Sequence, residues 1–316
     1  MNNVLAIDIG GSRFRIGLFN QEGRRVQVLE ADTFRSGGRE WMLNEIQERW
    51  RALRQKSTAP IRTCGVSFGG PVDFGRQRVR SVHAPGWEDF ELAHWVEQTL
   101  QLPCRVDNDA NCGALGEYRF GAGRGSESMV YLTLSTGIGG GVILGGKVHR
   151  GIDSLAGEFG HMPVSDAQVL CSCGAYGCLE AFCSGDAIAK RAEELASRRP
   201  EGGRMNELCD NPDHISARAV YQAAAEGDLA AVQIVSEAAR WLARAVCFII
   251  RALNPDKIVL GGGVTAAGNM FLLPVRGYLK DFTSLSSIGY STQVELAELG
   301  QYSPLYGAAA LALELV

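Results

Sequence analysis

The sequence predicts an α/β protein built from two related lobes, and three observations predict it. Strand–glycine turn–strand hairpins of similar pattern occur at residues 4–19 and again at 129–144. Glycine-rich turns follow apolar strands three times, at 10–11, 137–141 and 261–263. Runs with three-to-four apolar spacing, the mark of amphipathic helices, fill much of the rest. No low-complexity linker divides the halves, so the lobes are expected to share a cleft.

In the first hairpin an apolar run ends at Asp8, Gly10-Gly11 permit the reversal, and Phe14, Ile16 and Leu18 alternate on the return strand. An amphipathic helix is expected at 40–54, a strand at 61–68 and a helix at 92–100. A short strand at 104–106 should lead into a helix starting near Asn108. After the second hairpin, residues 151–177 read as loop and the remainder as largely helical. The strongest helix is 228–253, with Val232, Val235, Ala239, Leu242, Val246 and Ile249 placed on one face. Asn254-Pro255 stops it, because a residue before proline disfavours helical backbone. A buried-type strand at 257–260 and an Ala/Leu helix at 305–315 close the chain, while 201–204 reads as an exposed loop.

Composition excludes several classes. Apolar residues make up 46% and charged residues 21% of 316, the balance of a soluble globular chain. A net charge of -4 leaves no concentrated excess of Lys and Arg, so nucleic acid is not an expected partner. The amino end runs straight into a strand pattern, and the longest apolar tract, 245–250, is too short to span a bilayer. A cytoplasmic protein with no membrane partner is expected. Nine cysteines, an odd number without an export signal, argue against a disulfide framework. Cys64, Cys104, Cys112, Cys183, Cys209 and Cys247 are scattered and read as small buried hydrophobes.

Any one glycine turn could be only a tight turn; three together point to a polyphosphate, because glycine lets backbone N–H groups approach phosphates closely. The commoner nucleotide motifs are missing. No Gly-x4-Gly-Lys-Ser/Thr string exists, and the glycines at 137–141 lead into Val142-Ile143-Leu144, a strand, where a dinucleotide fingerprint requires a helix.

Cys171, Cys173 and Cys178 combine with His161 in a His-x9-Cys-x-Cys-x4-Cys pattern. Three thiolates and an imidazole form a closed tetrahedral set, which fits structural zinc better than an open catalytic site. The plainer alternative is unrelated thiols in a loop, but Gly174 and Gly177 permit the tight path that chelation needs.

The strand–Asp–Gly-Gly–strand unit and its Ser-Thr-Gly echo resemble the two phosphate hairpins of the actin and hexokinase superfamily. That resemblance implies an actin-like ATPase (ribonuclease H-like) two-lobe fold with an interdomain active-site cleft. It puts Asp8 in the shell of a Mg²⁺ ion, Gly10, Gly11, Ser12, Arg13, Thr136 and Gly137 against the phosphates of ATP, and Gly261, Gly262 and Gly263 at the adenosine end. More specific blocks follow in order. Gly157-Glu158-Phe159-Gly160-His161 with the segment from Cys171 to Glu180 resembles the signature of the ROK family of bacterial sugar kinases and repressors. Val106-Asp107-Asn108-Asp109-Ala110-Asn111, Gly69-Gly70-Pro71-Val72-Asp73 and Ile258-Val259-Leu260-Gly261-Gly262-Gly263 match its other blocks, over essentially the whole chain.

The resemblance implies an ATP-dependent phosphotransferase acting on a hexose or hexose-like sugar, at the 6-hydroxyl. Asp109 would be the general base, and Gly70, His83, Asn108, Asp109, Glu158, His161 and Glu180 would face the sugar. Cofactors would be ATP, Mg²⁺ and structural Zn²⁺. Residues 1–118 with 302–316 would form the first lobe, with one phosphate hairpin and part of the sugar pocket. Residues 119–301 would form the second, with the other hairpin, the zinc loop and the adenosine site. A homodimer or higher homo-oligomer is implied. There are departures. Ser12-Arg13 stands where family kinases usually have Thr-Lys or Thr-Asn, and His83 or Ala84 stands where many family glucokinases carry a sugar-contacting Asn. Glucose, fructose, allose, N-acetylmannosamine, other amino sugars and cyclitols therefore all stay open. The alternatives are a sugar-sensing regulator of the same family and a non-catalytic sugar-binding protein. Regulators of the family add an amino-terminal winged helix-turn-helix, which this sequence is not expected to contain.

Overall fold

A computed structural model describes residues 2–81, 84–197, 203–209, 215–284 and 290–316. His83 and part of the expected 201–204 loop lie outside the described residues. The chain begins with β1 (Asn3–Ile9), β2 (Arg13–Asn20) and β3 (Arg25–Asp32), then α1 (Gly38–Lys56) and β4 (Ile61–Phe68). Two short strands, β5 (Val72–Asp73) and β6 (Arg78–Val79), precede α2 (Leu92–Leu100), β7 (Cys104–Asn108) and α3 (Asp109–Phe120). The second hairpin comprises β8 (Met129–Leu134) and β9 (Ile138–Leu144), followed by β10 (Lys147–Val148). Helices α4 (Glu180–Cys183), α5 (Gly185–Ala196), α6 (Arg204–Glu207), α7 (Ala217–Ala225) and α8 (Leu229–Leu253) come next. Strand β11 (Lys257–Gly261), helix α9 (Asn269–Ser284), strand β12 (Gln293–Leu296) and helix α10 (Ser303–Leu313) end the chain.

The two principal sheets have one plan. The first is ordered β3-β2-β1-β4-β7 and the second β10-β9-β8-β11-β12. In the first, β1 is antiparallel to β2 and parallel to β4, which is parallel to β7. In the second, β8, β11 and β12 run parallel. The hairpin echo in the sequence is therefore a repeat of topology, and this is the actin-like ATPase fold. Strand β1 is buried throughout, as a strand covered on both faces must be.

Two compact units form: Met1–Ser126 with Gly141–Gly157 and Gln301–Val316, and Glu127–Gly140 with Glu158–Gly300. Residues 119–126, 141–157 and 301 thus fall with the first unit, outside the 1–118 and 302–316 expected from the sequence. The cause is local. Buried Glu117 accepts from Ala122 N at 2.9 Å and from Ser303 Oγ at 2.6 Å, which ties the end of α3 to its following loop and to α10.

Helix α8 forms where expected. Asp228 caps it, accepting from Ala230 N (2.9 Å) and Ala231 N (3.1 Å), and Asn254 ends it in the left-handed region at φ 41°. Its buried face carries Val235, Ala239, Leu242, Val246 and Ile249, but Val232 is 44% exposed. Ala231 and Ile234 take its place inward, so the apolar stripe is rotated in the first turn relative to the expected phase. The glycine run at 137–141 is likewise only partly a turn, since β9 already begins at Ile138.

Candidate active-site elements

In the first unit, the hairpin register sets Asp8 opposite Arg15. Asp8 is buried; its Oδ1 accepts from Ser67 Oγ at 2.9 Å and its Oδ2 from Arg15 Nη1 at 3.1 Å. Arg15 is held in turn by Glu30 Oε2 at 3.3 Å and Gln301 Oε1 at 3.3 Å. Burial pushes the Asp8 carboxyl above the usual carboxylate range, against the opposing pull of the Arg15 charge and the Ser67 hydrogen bond. Arg15 was not singled out from the sequence. A hairpin that turns at Gly11-Ser12 puts residue 15 across from residue 8, so the register was the available signal. Gly11, Ser12 and Arg13 are exposed at the hairpin tip, and the Arg13 side chain lies 3.8 Å from Asp32.

The β7–α3 junction builds the carboxylate pair. Asn108 leaves the strand in extended conformation and caps α3, its Oδ1 accepting from Ala110 N (2.9 Å) and Asn111 N (3.3 Å). Its Nδ2 donates to Gly70 O at 3.1 Å, which joins Asn108 to the Gly69-Gly70 turn. Asp109 is the first helical residue and half-buried, its Oδ1 accepting from Ala110 N at 2.9 Å. A Cβ on Gly69 would stand 3.7 Å from Asp109 Oδ2 and 3.5 Å from Gly10 Cα, so this carboxylate adjoins the first glycine turn. Asp107 points the other way. It is 2% exposed and accepts from Arg150 Nε at 2.8 Å and Nη2 at 2.7 Å, and from Asn111 Nδ2 at 3.1 Å. Burial raises its carboxyl above the ordinary range despite Arg150, whose guanidinium stacks 3.6 Å from the Phe74 ring centroid. The strand-to-helix switch at Asn108 thus separates a structural carboxylate from an accessible one.

In the second unit, one ligand atom from each of His161, Cys171, Cys173 and Cys178 lies within 4.8 Å of the others. His161 Nδ1 is 3.6 Å from Cys171 Sγ, and Cys173 Sγ is 3.7 Å from Cys178 Sγ. Tetrahedral zinc with Zn–S of about 2.3 Å and Zn–N of about 2.0–2.1 Å requires N···S near 3.6 Å and S···S near 3.8 Å, the spacing of these two pairs, and three thiols with an imidazole are the donor chemistry zinc takes. The other imidazole nitrogen, Nε2, faces Glu158 Oε2 at 3.9 Å. Glu180 Oε1 accepts from Ser172 Oγ at 2.6 Å and from Cys171 Sγ at 3.7 Å, and its Oε2 accepts from Ile138 N at 2.9 Å. The carboxylate therefore bridges the cysteine loop to the second hairpin.

That hairpin turns at Ser135-Thr136-Gly137. It borders a cavity of about 700 Å³ lined by Thr136, Asp186, Arg218, Tyr221, Gln222 and Gly263, among others. Thr136 and Gly263 face this space. Gly262 lies behind it with φ +89°, where an added Cβ would meet Leu134 O at 2.2 Å, so only glycine serves. Gly261 packs on Tyr131. Asp186, Arg218 and Gln222 were not foreseen; they come from α5 and α7, where their polar side chains read as ordinary solvated positions.

Comparison with known proteins agrees over the whole chain. The ROK family model matches residues 4–315. A glucokinase of Streptomyces coelicolor is 33% identical over 318 residues, covering 99% of this chain and 98% of that protein. A xylose repressor of Caldicellulosiruptor bescii is 26% identical, and the match spans 78% of its length. Among solved structures, a ROK family glucokinase from Streptomyces griseus, in complex with glucose and AMPPNP, has a TM-score of 0.86 at 34% identity and 99% coverage of both chains. The chain belongs to the ROK family.

Proposed function

We propose that this chain transfers the γ-phosphoryl group of ATP to a hydroxyl of a hexose or hexose-like sugar, the 6-hydroxyl by expectation. What carries the reading is the end-to-end likeness to glucokinases, in a chain whose half-buried Asp109 adjoins the first glycine turn. Asp109 accepts the proton of the attacking hydroxyl. The sugar oxygen forms its bond to the γ-phosphorus as the bond to the β,γ-bridging oxygen breaks, and ADP leaves. Asn108 and Gly70 hold sugar hydroxyls in the first unit; Glu158, His161 through Nε2, and Glu180 do so in the second. Glu180 can serve both sugar and protein because each carboxylate oxygen accepts more than one hydrogen bond. Gly10, Gly11, Ser12 and Arg13, and separately Thr136 and Gly137, receive phosphates, and the cavity beside Gly263 receives the adenosine end.

Magnesium would neutralise phosphate charge with Asp8 in its shell, and zinc on His161, Cys171, Cys173 and Cys178 would fix the loop that carries Glu158 and Glu180. Asp8, already paired with Arg15, suits a water-mediated hold on the metal better than an open ligand site. We expect a cytoplasmic homo-oligomer; among the described residues no helix is long and apolar enough to cross a membrane. A sugar-sensing regulator is the second reading, and the repressor relative is its support. A coupled ADP-release screen over hexoses, acetylamino sugars and cyclitols tests the proposal. Turnover with one or a few sugars is the expected result. No sugar-dependent ADP release from folded, ATP-binding protein would overturn it.

A further inference from the structure

The tip of the first hairpin is gripped from outside by the segment that follows β3. Thr33 Oγ1 donates to Gly10 O at 2.8 Å, Arg35 Nε to Gly11 O at 2.6 Å, and Thr33 N to Ser12 O at 2.9 Å. In a planar trans peptide the N–H points opposite the C=O. Fixing the carbonyls of Gly10 and Gly11 on this side therefore turns the amides of Gly11 and Ser12 to the other. Among the described residues, neither of those amides donates to a protein acceptor. Arg35 Nη2 also reaches Ser12 Oγ at 3.3 Å, and an added Cβ on Gly11 would stand 3.5 Å from the same nitrogen. The guanidinium is exposed, and among the described residues no carboxylate pairs with it.

We propose that Arg35 belongs to the donor phosphate site: its Nε pins the Gly11 carbonyl, and its remaining N–H groups meet a phosphate oxygen of the nucleotide beside Ser12 Oγ. The inference rests on the phosphate reading of this hairpin. Arginine suits the place because its rigid fork can hold one acceptor and still present further donors, with a charge that does not titrate. A bland turn brace would need neither the permanent charge nor the freedom from carboxylates. Because the charge sits at the phosphate end, its effect should depend on how many phosphates the ligand carries.

The test uses the full chain with Arg35→Gln and Arg35→Lys, and binding calorimetry with AMP and with the magnesium complex of AMPPNP. Arg35→Gln should weaken AMPPNP by about 10- to 100-fold, the loss of one charge-assisted hydrogen bond, while AMP binds within about twofold of the parent. Arg35→Lys should recover part of the loss, because the charge remains. Equal weakening of both ligands, or of neither, in variants that melt like the parent overturns the inference. Asp8→Ala, assayed alongside for turnover, separates the two levels. If it too is without effect, the phosphate reading of the hairpin fails; if it abolishes turnover while Arg35→Gln keeps AMPPNP affinity, only the role of Arg35 fails.

Discussion

The two glycine hairpins read almost alike in sequence, yet they are supported by charges of opposite sign. The first has cations around it: Arg15 against Asp8 and Arg35 on the Gly11 carbonyl. The second has an anion beneath it, Glu180, which takes the Ile138 amide, and the start of α5, whose Gly185 amide donates to Ser135 O at 2.7 Å. A turn can be fixed from either side because each peptide offers an acceptor in one direction and a donor in the other. The supports also lead to different places. Those of the first hairpin stay among neighbouring strands of its sheet, the segment just after β3 and Gln301, whereas Glu180 continues to Ser172 and Cys171. The second hairpin should therefore respond to metal binding at the proposed His/Cys loop and the first should not.

The largest effect follows from that difference. One zinc should copurify per chain, and Cys173→Ser should lower zinc content together with stability by on the order of 3 kcal/mol. At about 2–4 °C per kcal/mol in domains of 150–250 residues, that is a fall of roughly 6–12 °C in melting temperature. Metal-free protein that is fully folded and equally stable would remove the distinction between the hairpins.

A smaller, sharper comparison uses the glycines themselves. An added Cβ at Gly10 would meet the backbone oxygen of Arg13 at 2.7 Å, and one at Gly137 would meet Glu180 Oε2 at 2.5 Å. Backbone cannot step aside, but a carboxylate can. Gly10→Ala should therefore lose about 1–3 kcal/mol of stability, as overpacking does. Gly137→Ala should keep most of its stability and lose activity by displacing Glu180. Urea melts and turnover measured on both variants check this, and a reversed order of stability would contradict it.

The smallest effect lies at Asp256, which accepts from Glu127 N (2.8 Å) and Ser128 N (2.9 Å) and so fastens the start of β8 to that of β11. These amides hold its carboxyl below the usual range. A depressed carboxylate contributes stability that is present above its unfolded pKa and lost as pH falls through its folded pKa. Asp256→Asn should thus be slightly less stable at neutral pH and converge on the parent in acid. A stability gap that is constant with pH would contradict the assignment.

How much of this was legible follows from how local each feature is. Strand β4 and helix α2 have the expected limits because turn residues bracket short apolar runs. The four residues of the His/Cys cluster lie within 18 positions of one another, so spacing alone suggested them. Strand β3 was missed because it is half exposed, and RVQVLEAD carries too many polar residues to stand out. Helix α9 contains Pro274, which reads as a break. The switch that separates Asp107 from Asp109 was legible as a helix expected to start near Asn108, and β7 ends and α3 begins there. The partners that hold the site were not legible: Arg150 is 43 positions from Asp107, and Arg35 is 24 from Gly11. No local pattern records such distances.

The central claim is that Asp109 is the base. Asp109→Asn keeps the shape of the side chain and one acceptor while removing the proton-accepting carboxylate. With the sugar found by the screen, turnover should fall by about 10²–10⁴ while AMPPNP binding and melting temperature stay near those of the parent. Asp107→Asn, measured beside it, should lose stability by leaving Arg150 short of its partner, and should retain much more turnover per folded molecule. Near-parental turnover in Asp109→Asn would contradict the mechanism and leave sugar binding without catalysis as the reading to pursue.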